Sequence, residues 1–388
     1  MSRTNISLFS QILAKIDRSI CKKVSDKYQT DKHSKGINSW VHLVSMLFMQ
    51  FSGADSVRDI SNGLRSATGN LNHMGVYKAP SKSTISYINK HRDYRFFKDV
   101  YLKLLERIEP SLKRQRQYAN KIKKKVYIMD SSIIPLCLSL FDWAKFRTKK
   151  GAIKLHAVLD YDSGLPNYAY ITEGNIHDIN PAKQAAFASD SVLVVDRAYV
   201  DYEWFYKLDS NGVFFVTRLK SNAGFEIIED WGVNEKHTHI IMDQLIALTG
   251  PETKKKYPKK LRLVKVYNED NDQYLILLTN NMSWTANTIS ELYKARWDVE
   301  VFFKHLKQLF RVKSFVGTSA NAVRIQMWTS LIAMMLLRHF KKLAKFNWHL
   351  SNLITFMRIN LFVKIDLYTW LDKPLIETQK PPPQNTLF

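Results

Sequence analysis

The stretch Thr288–Arg311, TISELYKARWDVEVFFKHLKQLFR, contains neither Gly nor Pro. It opens with Thr288 and, three residues on, Glu291, the pattern of a capping box, and so predicts one continuous helix. At about 100° per residue, Leu292, Val299, Phe302, Phe303, Leu306, Leu309 and Phe310 fall on one broad apolar side. Tyr293, Arg296, Glu300, Lys304, Lys307 and Arg311 fall in a narrower arc outside it. Charge pairs such as Glu300–Lys304 account for this arc if it is simply solvated. The excess of cations around a single carboxylate supports another reading, a metal-holding group beside polyanionic phosphates.

Upstream, two apolar runs end in aspartate: Val126–Asp130 (VYIMD) and Ser191–Asp196 (SVLVVD). Aspartates at strand ends often do no more than begin turns. Together with Glu300, however, they make three carboxylates on rigid elements, a set suited to hard divalent cations. Between them, GAIKLHAVLDYDSGLPNYAYITEG carries a hairpin signal at Asp162-Ser163-Gly164, followed by a helix over Asp178–Ala188. A helix over Asp201–Asp209 and a strand over Val213–Thr217 follow Asp196, and the alternation describes a mixed α/β core. His156 and His177 could ligate a metal but read better as hydrogen-bonding groups. Residues 219–281 add the strand-like pieces GFEIIE, HTHIIM, LRLVKVY and QYLILLT and the basic run KKKYPKKLR. Trp231 in this segment reads as a core tryptophan.

Residues 1–108 read as helical, with Trp40–Phe51 (WVHLVSMLFMQF) as a core helix. A helix over Asp55–Ala67, a loop with Gly69, Gly75 and Pro80, and a helix capped by Ser83 carrying Lys90, Arg92 and Arg95 fit two readings. One is a helix-turn-helix DNA reader; the other is a bundle with a basic surface. Lys113, Arg114, Arg116, Lys121, Lys123, Lys124 and Lys125 precede the first aspartate strand and are expected to touch a phosphate backbone. Ile325–Leu337 is too short for the roughly 20 residues of a bilayer span and reads as a buried helix. The tail KPPPQNTLF is expected to be disordered.

Composition narrows the function. Lys and Arg number 58 against 35 Asp and Glu, a formal charge of +23, which calls for a polyanionic partner, nucleic acid rather than a membrane surface. With 45% hydrophobic residues and 12% aromatics the chain is a folded protein and not a disordered one. Cys21 and Cys137 lack zinc spacing, the N-terminus lacks an apolar signal region, and a cytoplasmic, nucleoid-associated location is expected.

Tyr293, Arg296, Glu300 and Lys307 reproduce a Y-(2)-R-(3)-E-(6)-K signature, and on these residues the chain resembles bacterial insertion-sequence DDE transposases of the insertion sequence four type. DSSII and VVDRAY resemble the boxes around that group's two aspartates, and SVRDI, STIS and FVGTS resemble its wording elsewhere. The resemblance implies an α/β multidomain fold: a ribonuclease-H-like core interrupted by a β-strand insertion and preceded by a helical N-terminal domain. The expected bounds are 1–108 for the helical DNA-binding domain, 109–218 and 282–345 for the core, 219–281 for the insertion and 346–388 for a helical segment and tail. Asp130, Asp196 and Glu300 would be catalytic and would hold two Mg²⁺ ions, with Mn²⁺ able to substitute. Tyr293, Arg296, Lys304 and Lys307 would contact DNA, and the helical reading adds Lys90 and Arg92.

The implied partner is double-stranded DNA, at transposon ends and target, engaged as a homodimer without a membrane. The implied activity is cut-and-paste transposition, with cleavage by metal-dependent hydrolysis, hairpin formation at the ends and joining to target. In that group an aromatic of the insertion stacks on a flipped base, and Trp231 is a candidate by location alone. Two rivals stay open: a ribonuclease-H-like structure-specific nuclease without strand transfer, and a domesticated DNA-binding protein.

Overall fold

The computed structural model describes residues 4–112, 122–137, 139–147, 150–233, 238–312 and 314–375. The expected disordered tail and the basic residues Lys113, Arg114, Arg116 and Lys121 lie outside them. The chain forms two units, one from the residues up to Ser111 together with those from Leu306 onward, the other from Leu112–His305.

The first unit is helical. Asn38 caps the helix Ser39–Ser52 by accepting the Val41 N–H, and Gly53 ends it at φ 76°, where a side chain would be strained. Nearly every side chain between Val41 and Phe51 is buried. The matching element is Ala320–Leu343, capped by Ser319 and buried from Ile325 through Leu337 as its composition predicts. By length and hydropathy it could cross a membrane, but 83% of its apolar window is buried inside the protein. The two helices pack on each other, and Gly63 of Val57–Ser66 lets the Phe48 ring approach to 2.5 Å of where a Cβ would stand. The two ends of the chain, separate domains by sequence, thus share one unit because both supply apolar helices to it.

Two expectations change here. The helix Lys82–His91 is capped by Ser81, which accepts the Thr84 N–H, rather than by Ser83. Arg92 is not available to DNA. It is buried and donates to the carbonyls of Thr30 (3.3 Å), Asn38 (3.1 Å) and Ile37 (2.7 Å), beside Asp31 at 3.6 Å. It ties the loop before Ser39 to Thr30 by three charge-assisted bonds to part-buried backbone carbonyls. Lys90 is exposed at the end of its helix. Arg92→Ala should therefore cost about 2–4 kcal/mol of stability in urea unfolding, through the loss of three charge-assisted hydrogen bonds. Lys90→Ala should stay within about 0.5 kcal/mol.

The second unit is built on one sheet. Strands β1 (Val126–Leu136), β2 (Lys145–Arg147), β3 (Lys150–Asp160), β4 (Pro166–Glu173), β5 (Val192–Val195), β6 (Phe214–Arg218), β7 (Phe225–Asp230), β8 (Ile240–Leu248), β9 (Leu261–Asn268) and β10 (Gln273–Thr279) run in the order β2-β3-β1-β5-β6-β10-β9-β8-β7, with β4 also on β3. β1 is antiparallel to β3 and parallel to β5, and β5 is parallel to β6. The four residues of β5 are fully buried, as expected of a strand covered on both faces. The strand-like pieces of 219–281 do form strands, and they continue this same sheet through the β6–β10 pairing. The helix Tyr202–Ser210, capped by Asp201, buries Trp204, Phe205 and Leu208, with Phe205 stacked on Phe215 at 4.4 Å.

Candidate active site

Strand register brings the two aspartates together. In the parallel pair β1–β5, Met129 lies opposite Val195, so the next residues, Asp130 and Asp196, emerge side by side. Adjacent strands sit about 4.8 Å apart, and both positions fall at carboxyl-terminal ends of the parallel run, where an α/β sheet presents its ligands. Asp196 terminates β5 by opening the 3₁₀ turn Arg197–Tyr199.

The stretch facing them is not one helix. Ala286–Lys294 ends at Ala295, and Trp297–Leu309 begins after Arg296. Arg296 N–H bonds back to Tyr293 O at 3.0 Å and Asp298 N–H to Ala295 O at 3.0 Å, tight three-residue steps in place of the helical ladder. The cap is Thr285, which accepts the Thr288 N–H at 3.1 Å, and not Thr288. The single arc read from the sequence is divided accordingly. Tyr293 comes from the first helix and donates from its hydroxyl to Asp196 Oδ1 at 3.4 Å. Glu300 comes from the first turn of the second, and its Oε1 accepts Arg296 Nη2 at 2.5 Å. Arg296, 18% exposed, also places Nη1 at 3.9 Å from Asp130 Oδ2.

Lys304 is exposed one turn beyond Glu300, and Lys307 lies in the last turn of the same helix. Arg311 leaves the arc: it donates to Gly53 O and pairs with Asp55 at 3.0 Å inside the helical unit.

Burial chiefly pushes the Asp130 carboxyl up to about 6. The Ser131 amide and Arg296 pull it down, and the charges of Asp196 and Glu300 raise it further. The Tyr293 phenol is pushed up to about 12 by burial and by the charge of Asp196, so it remains a donor at neutral pH. For Asp130 the linkage runs one way. A carboxyl raised in the fold contributes stability that is present below the ordinary value of 3.8 and lost as pH rises through about 6. Asp130→Asn should raise the Tm of the metal-free protein at about pH 8, and the gain should vanish by about pH 4, measured by thermal melts in chelator.

Beyond burial, the charges of Asp196 and Glu300 disfavour the ionised Asp130 carboxyl, a repulsion that a nearby cation relieves. Among the described residues no three His, Cys, Asp or Glu side chains close on a point tightly enough to cage an ion. The Arg296 guanidinium lies between Glu300 and Asp130 and supplies positive charge there.

The remaining sequence candidates lie elsewhere. His156 is buried, bonds Thr172 Oγ1 at 2.9 Å and is held near 4 by desolvation, a neutral hydrogen-bonding group. His177 is exposed. Trp231 is not a core residue: it is 36% exposed after the edge strand β7, with the Arg262 guanidinium 4.8 Å over its ring. Lys254, Lys255 and Lys256 end an exposed helix, whereas Lys259 pairs with Asp209 at 2.8 Å. Lys124 pairs with Asp190, and Lys125 lies 5.5 Å from the Tyr127 ring. Sequence reading missed Asp178 and the contacts of Ser131. Asp178, read as the first residue of a helix over Asp178–Ala188, stands before the shorter helix Ile179–Ala182, and its contacts with Ser131 and Lys154 are long-range ones that no local pattern marks.

Residues 121–336 match the family described as Transposase DDE domain. The chain belongs to the DDE transposases. Residues 4–77 of the enzyme match a domain of unknown function, DUF4372. A relative from Sinorhizobium fredii named as a transposase, y4zB, is 28% identical over 79% of this chain and 82% of its own. A second, from Geobacillus stearothermophilus, is named as the transposase of insertion sequence element IS5377 and is 28% identical over 71% of this chain and 72% of its own. A solved piggyBac transposase synaptic complex with hairpin DNA aligns over 95% of this chain and 80% of its own at TM-score 0.40 and 9% identity, too faint a likeness to carry an argument.

Proposed function

We propose that this transposase excises its own insertion sequence by cut and paste and that Asp130, Asp196 and Glu300 are its catalytic carboxylates. The observation that carries the reading is the β1–β5 register, which sets Asp130 beside Asp196 with Arg296 and Glu300 facing them, inside the stretch that matches the DDE family. The sheet order β3-β1-β5-β6, with β4 beyond β3, supports a ribonuclease-H-like core, and β7–β10 supply its insertion.

The family implies a divalent metal, and the three carboxylates would hold two Mg²⁺ ions, with Mn²⁺ able to replace them. When bound, such ions lower the pKa of a coordinated water or hydroxyl and stabilise the leaving oxygen of an in-line displacement at phosphorus. Glu300 must exchange Arg296 for this role, which frees the guanidinium to take a phosphate oxygen pair in bidentate fashion. Tyr293 keeps the Asp196 carboxylate oriented through its hydroxyl. Lys304 and Lys307 follow along the same helix and extend the phosphate contact. Lys90 is a further exposed cation for duplex DNA, and the +23 charge favours such binding at low salt.

By resemblance to the signature group, the 3′-hydroxyl freed by a first nick attacks the opposite strand to close a hairpin, whose hydrolysis precedes joining to target within a protein dimer. The test is a labelled duplex carrying one element end and flanking DNA, incubated with Mg²⁺ and resolved on a denaturing gel. A nick, then a hairpin, then an opened end is expected. Nicks with no hairpin would identify a hydrolytic nuclease, and bound but intact DNA a non-cutting binder.

A further inference from the structure

We propose that Ser131 is a positioning residue, coupling a half-buried ion pair, Lys154–Asp178, to the orientation of the Asp130 carboxylate. The inference rests on the reading above that Asp130 is a metal ligand. Successive residues of a strand point to opposite faces, so Ser131 sends its side chain away from Asp130 while its amide stays beside it. Both ends of Ser131 are engaged. Its N–H donates to Asp130 Oδ1 at 2.8 Å, and its Oγ donates to Asp178 Oδ1 at 2.8 Å.

The same Asp178 oxygen accepts Lys154 Nζ at 3.1 Å, and that ammonium also donates to Ile176 O at 2.8 Å. The register places Ser131 opposite His156 and Ile133 opposite Lys154, so these groups share the reverse face of the sheet. His156, its side chain 1% exposed, closes the cluster with Nδ1 3.6 Å from Asp178 Oδ1.

Lys154 is only 11% exposed and Asp178 24%, so solvent screens this pair less than a surface one, and the Ile176 carbonyl holds the ammonium in place. Asp178 is thereby fixed, and it fixes the Ser131 hydroxyl. A pinned hydroxyl pins the peptide between residues 130 and 131, and the amide of that peptide engages Oδ1, leaving Oδ2 as the oxygen nearer Arg296. Groups that orient a metal-binding carboxylate through hydrogen bonds typically contribute about 10–100-fold in metal affinity. The hydroxyl matters here because it is a donor, so threonine should replace it and alanine should not.

The experiment counts bound Mn²⁺ by electron paramagnetic resonance in full-length protein, with a thermal melt for each variant. Ser131→Ala should weaken Mn²⁺ binding by about 10-fold or more, while Ser131→Thr should return it to within about threefold of wild type. Asp178→Ala, which removes the acceptor, should match Ser131→Ala, and the double variant should be no weaker than either single one, because all act through one link. Unchanged affinity in a folded Ser131→Ala protein, or an equal loss in Ser131→Thr, overturns the proposal. If Ser131→Ala melts early, Asp178→Ala decides by the same criterion. Asp130→Asn is the benchmark. Wild-type affinity in that variant would sink the parent assignment of Asp130, whereas loss there with none at Ser131 would sink only this inference.

Discussion

Asp196→Asn should leave binding to an end-bearing duplex within about twofold of wild type and lower strand cleavage by about 10³-fold or more. The magnitude follows from the chemistry: charge stabilisation by a bound metal is worth several kcal/mol, and each 1.36 kcal/mol is tenfold in rate. Asparagine keeps the shape of the side chain and its bond from the Tyr293 hydroxyl but not the negative charge. Asp130→Asn and Glu300→Gln should behave alike, since the register sets Asp130 beside Asp196 and Arg296 reaches both Asp130 and Glu300. Single-turnover nicking in Mg²⁺, with binding measured in Ca²⁺, separates the two effects. A variant that nicks at near wild-type rate removes that residue from the catalytic set.

Arg296 divides structure from chemistry more sharply. As a mere partner of Glu300 on a helix surface, its replacement would cost roughly 0–1 kcal/mol of stability and little activity. As a phosphate clamp, Arg296→Gln should reduce nicking by about 10²–10³-fold with Tm nearly unchanged. Arg296→Lys should also be impaired, because one ammonium cannot present the two nitrogens that now reach Glu300 at 2.5 Å and Asp130 at 3.9 Å. Wild-type kinetics in both variants would leave Arg296 a structural group.

Much of this site was legible because its parts sit at sequence discontinuities. Asp130 and Asp196 each interrupt an apolar run, and Glu300 stands alone among cations, so residue type and position marked all three. The pairing of Met129 with Val195 was not legible, since register is set by long-range packing rather than by either strand's own pattern. The break at Ala295–Arg296 was hidden for a related reason: no Gly or Pro marks it, and every residue there favours continuing the helix. Arg92 shows the limit of reading charge. A guanidinium that serves three backbone carbonyls looks the same in sequence as one that serves phosphates. Trp231 failed in the opposite sense, read as core and found half-open at a sheet edge beneath Arg262. The sheet itself was under-read: four strands resembling an inserted domain continue the central sheet because β10 pairs with β6.

The central claim is that Asp130, Asp196 and Glu300 hold the metal at which the strand is cut. An anomalous difference map of the end-DNA complex loaded with Mn²⁺ tests it directly. The expected result is density at about 2.1 Å from oxygens of all three carboxylates, with the Arg296 guanidinium withdrawn from Glu300 to a phosphate. Density away from Asp130 and Asp196, or an Arg296–Glu300 bridge intact beside bound metal, would contradict the account.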